Sequence, residues 1–354
     1  MKRIILTGGG TAGHVTPNIA LIPKLRELGY DIQYIGSYNG IEKELIEPFG
    51  IPYHGISSGK LRRYFSLQNF TDPFRVIKGL GEAKKLVKIL HPDVIFSKGG
   101  FVSVPVVLAG KSRHVPTIIH ESDMTPGLAN KISMPSASKI CCNFPEAMEH
   151  LPKEKAVLTG TPIRQELFQG NPLDALVFTK LEANRPTILV VGGSTGSVKV
   201  NEAVRSCLND LLKTYQVIHL CGKGKTDSAF EGRPGYVQYE YIKKELSSLL
   251  ALADIVISRA GANAICELQA LAKPNILIPL GSNASRGDQI LNAESFKKQG
   301  FSYVLPEDEL NEQSLLAAVS EVYEHRAEYK QAMEASQMSN SIDIIINLIN
   351  DACN

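Results

Sequence analysis

The stretch that decides the fold is Ile4-Ile5-Leu6-Thr7-Gly8-Gly9-Gly10-Thr11-Ala12-Gly13-His14. Its apolar start is typical of a buried strand, and apolar residues from Pro17 to Leu25 then recur at helical spacing. The pattern therefore predicts a strand, a glycine turn and a helix. Backbone N–H groups of a turn that opens a helix point towards one spot, where the helix dipole also favours a phosphate or carboxylate.

The same pattern recurs in the second half of the chain. Ile188-Leu189-Val190-Val191 is followed by Gly192-Gly193-Ser194-Thr195-Gly196-Ser197 and one helical stretch over residues 198–212. Short apolar runs alternate with helix-length segments in both halves, which is typical of parallel sheets with helical crossovers. These runs are residues 32–35, 94–96, 117–120 and 139–142 in the first half, and 217–221, 255–257 and 275–279 in the second. We therefore predict an α/β protein with two Rossmann-like domains.

Length and composition agree with two globular domains. The chain has 354 residues, 44% of them hydrophobic and 21% charged, which excludes disorder, a collagen-like fibre and a coiled coil. Turn residues over 160–186 predict a linker. We expect a first domain over residues 1–161, a second over 162–340, and a C-terminal helix over 341–354 whose packing partner the sequence leaves open.

Other features of the composition concern the compartment and the partners. No apolar run approaches the roughly 18 residues that span a bilayer, no signal peptide is expected, and six cysteines without CxxC spacing indicate reduced thiols in a cytoplasm. Residues 1–160 carry 20 Lys and Arg against 13 Asp and Glu, whereas the remainder is net acidic. This asymmetry indicates an anionic partner for the first half, either a membrane surface or nucleic acid, or ordinary scatter in surface charge.

A third glycine turn, Ser97-Lys98-Gly99-Gly100-Phe101-Val102-Ser103, follows the apolar run at 94–96. None of the three turns is a Walker sequence, and neither of the first two fits GxGxxG well, which disfavours a nicotinamide site. Each turn alone could be only a tight turn. Three of them at strand carboxyl ends, where open α/β sheets bind ligands, favour a binding site.

Seven motifs, taken in order, resemble the MurG family. They are GGGTAGH (8–14), SKGGFVS (97–103), HESDMTPGLANK (120–131), GTPIR (160–164), GGSTGS (192–197), SRAGANAICE (258–267) and DQILNA (288–293). The family's members move N-acetylglucosamine from its UDP derivative to the lipid-linked muramyl-pentapeptide of cell-wall synthesis, with inversion. The resemblance covers nearly the whole chain and implies a type B glycosyltransferase, with two Rossmann-like domains facing across a cleft and no cofactor.

The resemblance also implies a donor site, mainly in the second domain. Its expected contacts are Ser194 and Arg164 at the diphosphate, Tyr241 and Ile242 around uracil, Glu267 at the ribose hydroxyls and Gln289 at the donor sugar. Plainer roles are also open. Glu267 could serve only the dipole of a first helical turn, Arg164 could pair with a nearby carboxylate, and Tyr241 and Ile242 could be core.

The reaction needs a stabilised leaving group and a base. Preorganised amides can stabilise the departing diphosphate. We find no Asp-any-Asp element that would hold a metal, and the acidic cluster 307–309 is predicted to be a solvated loop, so we expect a metal-independent transfer. His14 is the leading candidate for the base, because a helix N-terminus disfavours the imidazolium. Glu121 is the competing base, and a purely structural His14 is the alternative.

Three residues depart from the family pattern. Ala12 replaces a glycine of TGGH, Asp123 replaces the asparagine of HEQN, and Thr161 replaces the asparagine of GNP. A methyl group at Ala12 could crowd a ligand, and a carboxylate cannot donate a hydrogen bond as an amide does. Thr11, Ala12, Gly13 and Asp123 are still the expected substrate contacts of the first domain, but the sugar contacts and the acceptor are left open.

A basic stretch over residues 60–88 holds eight Lys and Arg against two acidic residues, with interleaved aromatic and aliphatic residues. Such a pattern favours peripheral binding to an anionic membrane, here its cytoplasmic face, although a solvated helix face is the alternative. Without a recognised motif, nucleic acid is not an expected partner. Other functions left open are transfer to another lipid such as diacylglycerol, epimerisation of the UDP-sugar, and non-catalytic UDP-sugar binding.

Overall fold

The computed structural model describes residues 1–59, 68–193, 196–281, 287–336 and 340–353, with only the backbone for residues 68–74. The chain divides into two compact units. The first comprises Met1–Arg164 and Asn340–Asn354, and the second comprises Gln165–Ser339. In the described part of the chain, no helix combines the length and the apolar character that crossing a bilayer requires.

The first unit contains a sheet of seven parallel strands in the order β3-β2-β1-β4-β5-β6-β7. The strands are β1 (Arg3–Thr7), β2 (Asp31–Ser37), β3 (Tyr53–Ile56), β4 (Val94–Ser97), β5 (Thr117–Glu121), β6 (Lys139–Cys142) and β7 (Ala156–Leu158). Its helices are α1 (Thr16–Glu27), α2 (Ile41–Ile46), α3 (Gln68–Leu90), α4 (Ser103–Ser112) and α5 (Leu128–Ser133), with α14 (Ser341–Ala352) from the chain's end.

The second unit contains a sheet of six parallel strands in the order β10-β9-β8-β11-β12-β13. The strands are β8 (Thr187–Val191), β9 (Gln216–Leu220), β10 (Tyr236–Tyr239), β11 (Ile255–Ser258), β12 (Asn275–Leu277) and β13 (Tyr303–Val304). The helices are α6 (Pro172–Thr179), α7 (Val198–Ser206), α8 (Leu208–Thr214), α9 (Leu246–Leu252), α10 (Ala262–Ala270), α11 (Asp288–Lys298), α12 (Glu312–Glu324) and α13 (Arg326–Ala335).

The two sheets repeat one topology. Counted from β8, the second sheet has the strand order 3-2-1-4-5-6, and the first sheet has the same order with one more strand, β7, at its end. This is the doubly wound Rossmann order, in which ligands bind outside the carboxyl ends of the strands. The prediction of two Rossmann-like domains is therefore confirmed.

The core of the first unit lies on both faces of its sheet. Ile4 and Leu6 of β1 belong to one apolar cluster, whereas Ile5, which points to the other face, belongs to a second cluster with residues of α3 and α4. The helix α14 contributes Ile345 and Ile349 to the first of these clusters. The C-terminal helix, whose partner the sequence left open, thus packs on the first sheet.

Two expectations about secondary structure need correction. The predicted helix over 198–212 is two helices, α7 and α8, because the backbone leaves the helical region at Cys207 (φ −98°, ψ 10°) while Cys207 and Leu208 both stay fully buried. The strands β3, β7, β10 and β13 have no counterpart in the predicted runs, and all four lie at sheet edges.

Of the basic stretch 60–88, residues 60–67 lie outside the described residues and the rest belongs to α3.

Candidate functional site

Two glycine turns meet at the carboxyl edge of the first sheet. One follows β1, and the other follows the neighbouring strand β4. Gly100 has a φ of +83°, and a Cβ atom added there would lie 2.3 Å from the backbone oxygen of Gly9. Only a glycine allows this approach, so the two turns form one surface.

His14 ends the first turn, in a short 3-10 segment (Ala12–His14) that precedes α1. Its Nδ1 lies 3.0 Å from the hydroxyl oxygen of Thr11, and its backbone N–H donates to the Thr11 carbonyl at 3.1 Å. When Nδ1–H donates to that hydroxyl oxygen, Nε2 is the unprotonated ring nitrogen, which is the state that a base needs. Thr11 is exposed, and Ala12, Gly13 and His14 are half-buried.

Glu121, the competing base, lies at the end of β5 and is only 4% exposed. Its carboxylate accepts hydrogen bonds from three backbone N–H groups, those of Ser122 (2.8 Å), Asp123 (3.0 Å) and Gly127 (3.0 Å), and from Nδ2 of Asn130 (2.8 Å). Burial raises its pKa, although these hydrogen bonds oppose the rise. Four donors on one carboxylate shape the loop that carries Asp123, which is itself half-buried.

A buried lysine lies beside this loop, and the sequence analysis did not predict it. Lys98 is 1% exposed, and its Nζ contacts Ser122 Oγ and lies 2.9 Å from Nδ1 of His120. On the other side of the ring, His120 Nε2 lies 2.9 Å from the Gly160 carbonyl oxygen. Burial and the Lys98 charge hold the pKa of His120 well below its ordinary value. The available signal was a lysine between an apolar strand and two glycines.

Glu42 is a second buried group that the sequence analysis missed. It is fully buried, and its carboxylate accepts hydrogen bonds from the backbone N–H groups of Ser37 (2.9 Å) and Gly10 (3.1 Å). The first turn was expected to hold an anion through its amides. Its Gly10 amide instead binds an internal carboxylate, which disfavours a second anion at that amide.

The substitution at Thr161 is accommodated inside the first unit. Thr161 is 5% exposed, and its hydroxyl donates to Asn143 Oδ1 at 2.6 Å. Asn143 Nδ2 in turn donates to the Ser122 carbonyl at 3.0 Å, and Ser341 Oγ at the start of α14 donates to the Thr161 carbonyl at 2.7 Å. These contacts join the C-terminal helix to the loop after β5.

In the second unit, the glycine turn follows β8 and opens α7. Ser194 and Thr195 lie outside the described residues. Ser197 caps α7 by accepting from the Val200 N–H, and Arg259 Nη2 donates to the same Ser197 hydroxyl oxygen at 2.6 Å. Arg259 Nη1 donates to the carbonyls of Ile278 (3.1 Å) and Pro279 (3.3 Å). One guanidinium thus joins the turn to the ends of two other strands.

Glu307 completes this arrangement and corrects an expectation. The cluster 307–309 was predicted to be a solvated loop, but the Glu307 side chain is only 10% exposed and contacts Arg259. Lys199 Nζ lies 3.3 Å from its other oxygen. Burial would raise the pKa of Glu307, but the hydrogen bonds and charges of Arg259 and Lys199 outweigh it and lower the pKa. For Glu307 the prediction of a solvated side chain was wrong, because its cationic partners are distant in sequence.

Of the remaining predicted donor residues, Glu267 and Gln289 lie in helices that follow strands of the second sheet, whereas Arg164 belongs to the first unit. Glu267 is half-buried and is the sixth residue of α10, so it lies beyond the first helical turn and the dipole-only alternative for it was wrong. Gln289 is the second residue of α11, and its Oε1 accepts from the Leu280 N–H at 3.0 Å. Arg164, half-buried, is the last residue of the first unit's main segment.

Tyr241 and Ile242 differ in exposure, although they are adjacent. Tyr241 is 60% exposed, with Lys243 Nζ 5.9 Å from the ring centroid, whereas Ile242 is 7% exposed. The alternative that both are core residues was therefore wrong for Tyr241. Both follow β10, as Glu267 follows β11 and Gln289 follows β12, so these residues occur after carboxyl ends of strands in one parallel sheet.

The two Rossmann-like domains carry glycine turns at the carboxyl ends of their strands. Together with the comparisons with known proteins, this arrangement defines a glycosyltransferase of the nucleotide-sugar type. A model of the glycosyltransferase family 28 N-terminal domain matches residues 4–142, and a model of the family 28 C-terminal domain matches residues 187–348. Among solved structures, a MurG from Acinetobacter baumannii superimposes with a TM-score of 0.78 at 23% identity, covering 99% of this chain and 100% of that one.

Curated relatives narrow the family. A protein of Lachnoclostridium phytofermentans is 67% identical over 351 residues, or 99% of both chains, and one of Clostridium tetani is 57% identical over 348 residues, or 98% of this chain and 97% of the relative. Both are named UDP-N-acetylglucosamine–N-acetylmuramyl-(pentapeptide) pyrophosphoryl-undecaprenol N-acetylglucosamine transferase. The chain belongs to glycosyltransferase family 28 and, within it, to the MurG family, as its seven motifs predicted.

Proposed function

We propose that this protein transfers N-acetylglucosamine from UDP-N-acetylglucosamine to the muramyl sugar of undecaprenyl-diphosphate-muramyl-pentapeptide, the step from lipid I to lipid II. The observation that carries the proposal is the 67% identity, over 99% of both chains, to a relative named for this transfer. The protein is accordingly a hexosyltransferase of peptidoglycan synthesis. The two Rossmann-like domains supply the glycine turns that such a reaction uses.

We assign the donor to the carboxyl edge of the second sheet. Gly192, Gly193, Gly196 and Ser197 precede α7, and the dipole at the N-terminus of this helix favours a diphosphate there. Ser194 and Arg164 are proposed to bind the same diphosphate. Because Gln289 Oε1 already accepts from Leu280, Nε2 is the atom of Gln289 that would donate to the donor sugar.

The nucleoside contacts are proposed on the same edge. Glu267, beyond the first turn of α10, would accept hydrogen bonds from the ribose hydroxyls. The exposed ring of Tyr241 offers a stacking surface for uracil, and the buried Ile242 is the second proposed contact. The proposal needs no metal, because preorganised amides stabilise the charge that develops on the departing UDP.

In the first unit we assign the base to His14. The acceptor hydroxyl oxygen attacks the anomeric carbon while the bond from that carbon to the diphosphate oxygen breaks, which inverts the centre. The hydroxyl proton passes to Nε2 of His14, and the electron pair of the broken bond leaves with UDP. The Thr11 hydroxyl, 3.0 Å from Nδ1, supports this role because it can accept Nδ1–H and leave Nε2 unprotonated. Ala12 and Gly13 are proposed to contact the acceptor.

Glu121 is better suited to shaping the acceptor loop than to accepting a proton. Both of its oxygens already accept two hydrogen bonds each, and the side chain is buried. A base must come within hydrogen-bond distance of the proton it removes. We therefore propose that Glu121 orders the loop, and that Asp123 on this loop faces the acceptor.

Peripheral binding to the cytoplasmic face of the membrane is proposed through α3. Its described side chains include exposed Arg75, Lys84, Lys85 and Lys88, with exposed Ile77 among them. Basic residues near an anionic bilayer contribute about 1 kcal/mol each, and an exposed aliphatic side chain can enter the headgroup region. Sedimentation with anionic vesicles, compared with neutral ones, tests this part of the proposal.

The experiment for the reaction itself uses labelled UDP-N-acetylglucosamine and a short-chain analogue of undecaprenyl-diphosphate-muramyl-pentapeptide, with a chelator present. Label on the muramyl analogue supports both the acceptor and the metal-free chemistry. Label on diacylglycerol, offered as the comparison acceptor, would instead show that Ala12 and Asp123 accompany a changed acceptor. Donor binding without any product would indicate a non-catalytic UDP-sugar-binding protein.

A further inference from the structure

Three glycines enclose the side chain of Glu42 in the first unit. A Cβ atom added to Gly9 would lie 2.5 Å from Glu42 Cδ, one added to Gly36 would lie 2.8 Å from Cγ, and one added to Gly40 would lie 2.3 Å from both carboxylate oxygens. A side chain at Gly9 or Gly40 would displace the carboxylate, and one at Gly36 would displace the Tyr53 hydroxyl or the Glu42 stem. The three glycines belong to the first turn, to β2 and to the start of α2. Their lack of side chains therefore leaves the space that the buried Glu42 side chain fills.

The two oxygens of Glu42 bind different segments. Oε1 accepts from the backbone N–H of Ser37 at 2.9 Å and from its hydroxyl at 2.5 Å, which anchors the carboxylate to the end of β2. Oε2 accepts from the Gly10 N–H at 3.1 Å. Gly10 has a φ of +85°, a conformation that glycine adopts without strain. The carboxylate thus joins the glycine turn to the sheet.

The Gly10 amide, which Glu42 binds, is adjacent in sequence to Thr11, and Thr11 contacts His14. Thr11 follows Gly10 directly, and it contacts His14 twice, through its carbonyl at 3.1 Å from the His14 backbone nitrogen and through its hydroxyl at 3.0 Å from Nδ1. A Cβ atom on Gly8 would lie 2.4 Å from the His14 carbonyl oxygen, so the turn is closely folded on itself. Gly10 and the imidazole are thus connected through Thr11, by one peptide bond and two hydrogen bonds.

We propose that Glu42 is a positioning residue for His14, which it holds in place through the Gly10 amide and Thr11. The inference rests on the proposed function, in which His14 accepts the acceptor's proton. A carboxylate is suited to this task because both of its oxygens accept hydrogen bonds, and each segment here offers a donor.

The sharpest variant is Glu42→Gln, which keeps the shape of the side chain. Its NH₂ group must replace one oxygen. Placed towards Ser37 it would face an N–H and a hydroxyl, whereas placed towards Gly10 it faces a single N–H. We expect the second arrangement, in which the Ser37 contacts remain and the Gly10 hydrogen bond is lost. The matched control is Ser37→Ala, which removes one contact to Oε1 and leaves the Gly10 hydrogen bond in place.

The test measures the turnover number, the KM for UDP-N-acetylglucosamine and the melting temperature, and it repeats Glu42→Gln in a His14→Ala background under single-turnover conditions. We expect Glu42→Gln to lower turnover about tenfold or more with the donor KM within threefold, and Ser37→Ala to stay within threefold of the parent. In the His14→Ala background we expect Glu42→Gln to have less than about a twofold effect, because a residue that acts through His14 has nothing left to position.

An equal loss in both backgrounds would assign Glu42 a general structural role and overturn the inference, as would unchanged turnover in Glu42→Gln. Should Glu42→Gln fail to fold, Glu42→Asp takes its place in the same cycle, since it keeps the charge and withdraws the carboxylate by one methylene. An inactive parent enzyme, with UDP binding intact, would count against the proposed function instead.

Discussion

Lys98 Nζ lies 2.9 Å from Nδ1 of His120, and both side chains are buried at the carboxyl edge of the first sheet. The contact requires Nδ1 to accept, which places the ring proton on Nε2, where it donates to the Gly160 carbonyl. The buried lysine thus selects a neutral tautomer of His120. It also joins the turn after β4 to the end of β5, and the loop after β5 carries Asp123, a predicted acceptor contact.

Replacing Lys98 with Met should destabilise the first unit. The variant leaves His120 Nδ1 without its donor, and an unsatisfied buried polar atom costs about 1–3 kcal/mol. The pKa of His120 should rise towards its ordinary value, although burial, the larger cause of its lowering, remains. Urea unfolding at pH 7.5 measures the first effect and histidine proton NMR the second. The control is Lys111→Met, at an exposed lysine; equal midpoints for both variants would contradict the role of Lys98.

Acidification should lower the free energy of unfolding, because the folded protein buries neutral histidines. Burial, with a contribution from Arg205, lowers the pKa of His219 to about 3, so below pH 6.5 the unfolded chain binds a proton that the folded chain does not. The stabilisation is therefore fully present above the unfolded pKa of about 6.5 and is lost as pH falls below it, by up to about 1.4 kcal/mol per pH unit.

The measurement for His219 compares urea unfolding at pH 7.5 and 5.5 for the parent, for His219→Asn and for His150→Asn, which replaces an exposed histidine. We expect the parent and His150→Asn to lose similar free energy of unfolding between these pH values, and His219→Asn to lose less. The same loss in all three proteins would mean that His219 is not buried as a neutral ring.

The assignment of His14 as base predicts a selective effect on catalysis. His14→Ala should lower turnover by about 10²- to 10⁴-fold, because a positioned base contributes that much, and should leave UDP binding within threefold of the parent. Radiolabel transfer gives the first quantity and titration calorimetry with UDP the second. Turnover within threefold of the parent would show that His14 only shapes its own loop.

The ion pair between Arg259 and Glu307 should stabilise the second unit only while both charges are present. Arg259→Met leaves a largely buried carboxylate beside the glycine turn, and breaking such a pair costs about 3–5 kcal/mol. The double variant Arg259→Met with Glu307→Leu should recover part of this loss, because neither charge is then left alone. Thermal unfolding of the two single variants and the double variant forms the cycle; strictly additive losses would exclude the pairing.

Arg259→Met should also weaken UDP binding about tenfold, since Arg259 holds Ser197 and with it the glycine turn proposed for the diphosphate. Glu307→Gln keeps an oxygen for Arg259 and serves as the milder comparison. Unchanged UDP affinity in Arg259→Met would show that Arg259 stabilises the turn without affecting the ligand contacts of the turn.

The interior strands could be predicted from the sequence because they are buried on both faces. Residues 4–6, 94–96 and 188–191 form short apolar runs, and each corresponds to a central strand, β1, β4 or β8. The edge strands could not be found in this way. β7 has no fully buried residue and β13 only two half-buried ones, so neither shows a continuous apolar run.

The same distinction between local and distant features applies to the residues of the candidate site. His14 and the glycine turns were predicted because a turn and the helix it opens are local in sequence, and the seven motifs were sufficient to identify the family. Glu42, Lys98 and the partner of Glu307 were not. The hydrogen bonds Lys98–His120, Gly10–Glu42 and Arg259–Glu307 join residues 22, 32 and 48 positions apart, and no periodic pattern records such a pairing.

By itself, the sequence determined the duplication, the class of fold, the family and the residues that follow the strand ends, because strand and turn propensities act over a few residues. Only the tertiary structure decided which ionisable groups are buried and which partners they have. The reason is that burying a charge is costly unless hydrogen-bonding partners meet it, and those partners are brought together by packing of strands and helices that are far apart in the chain.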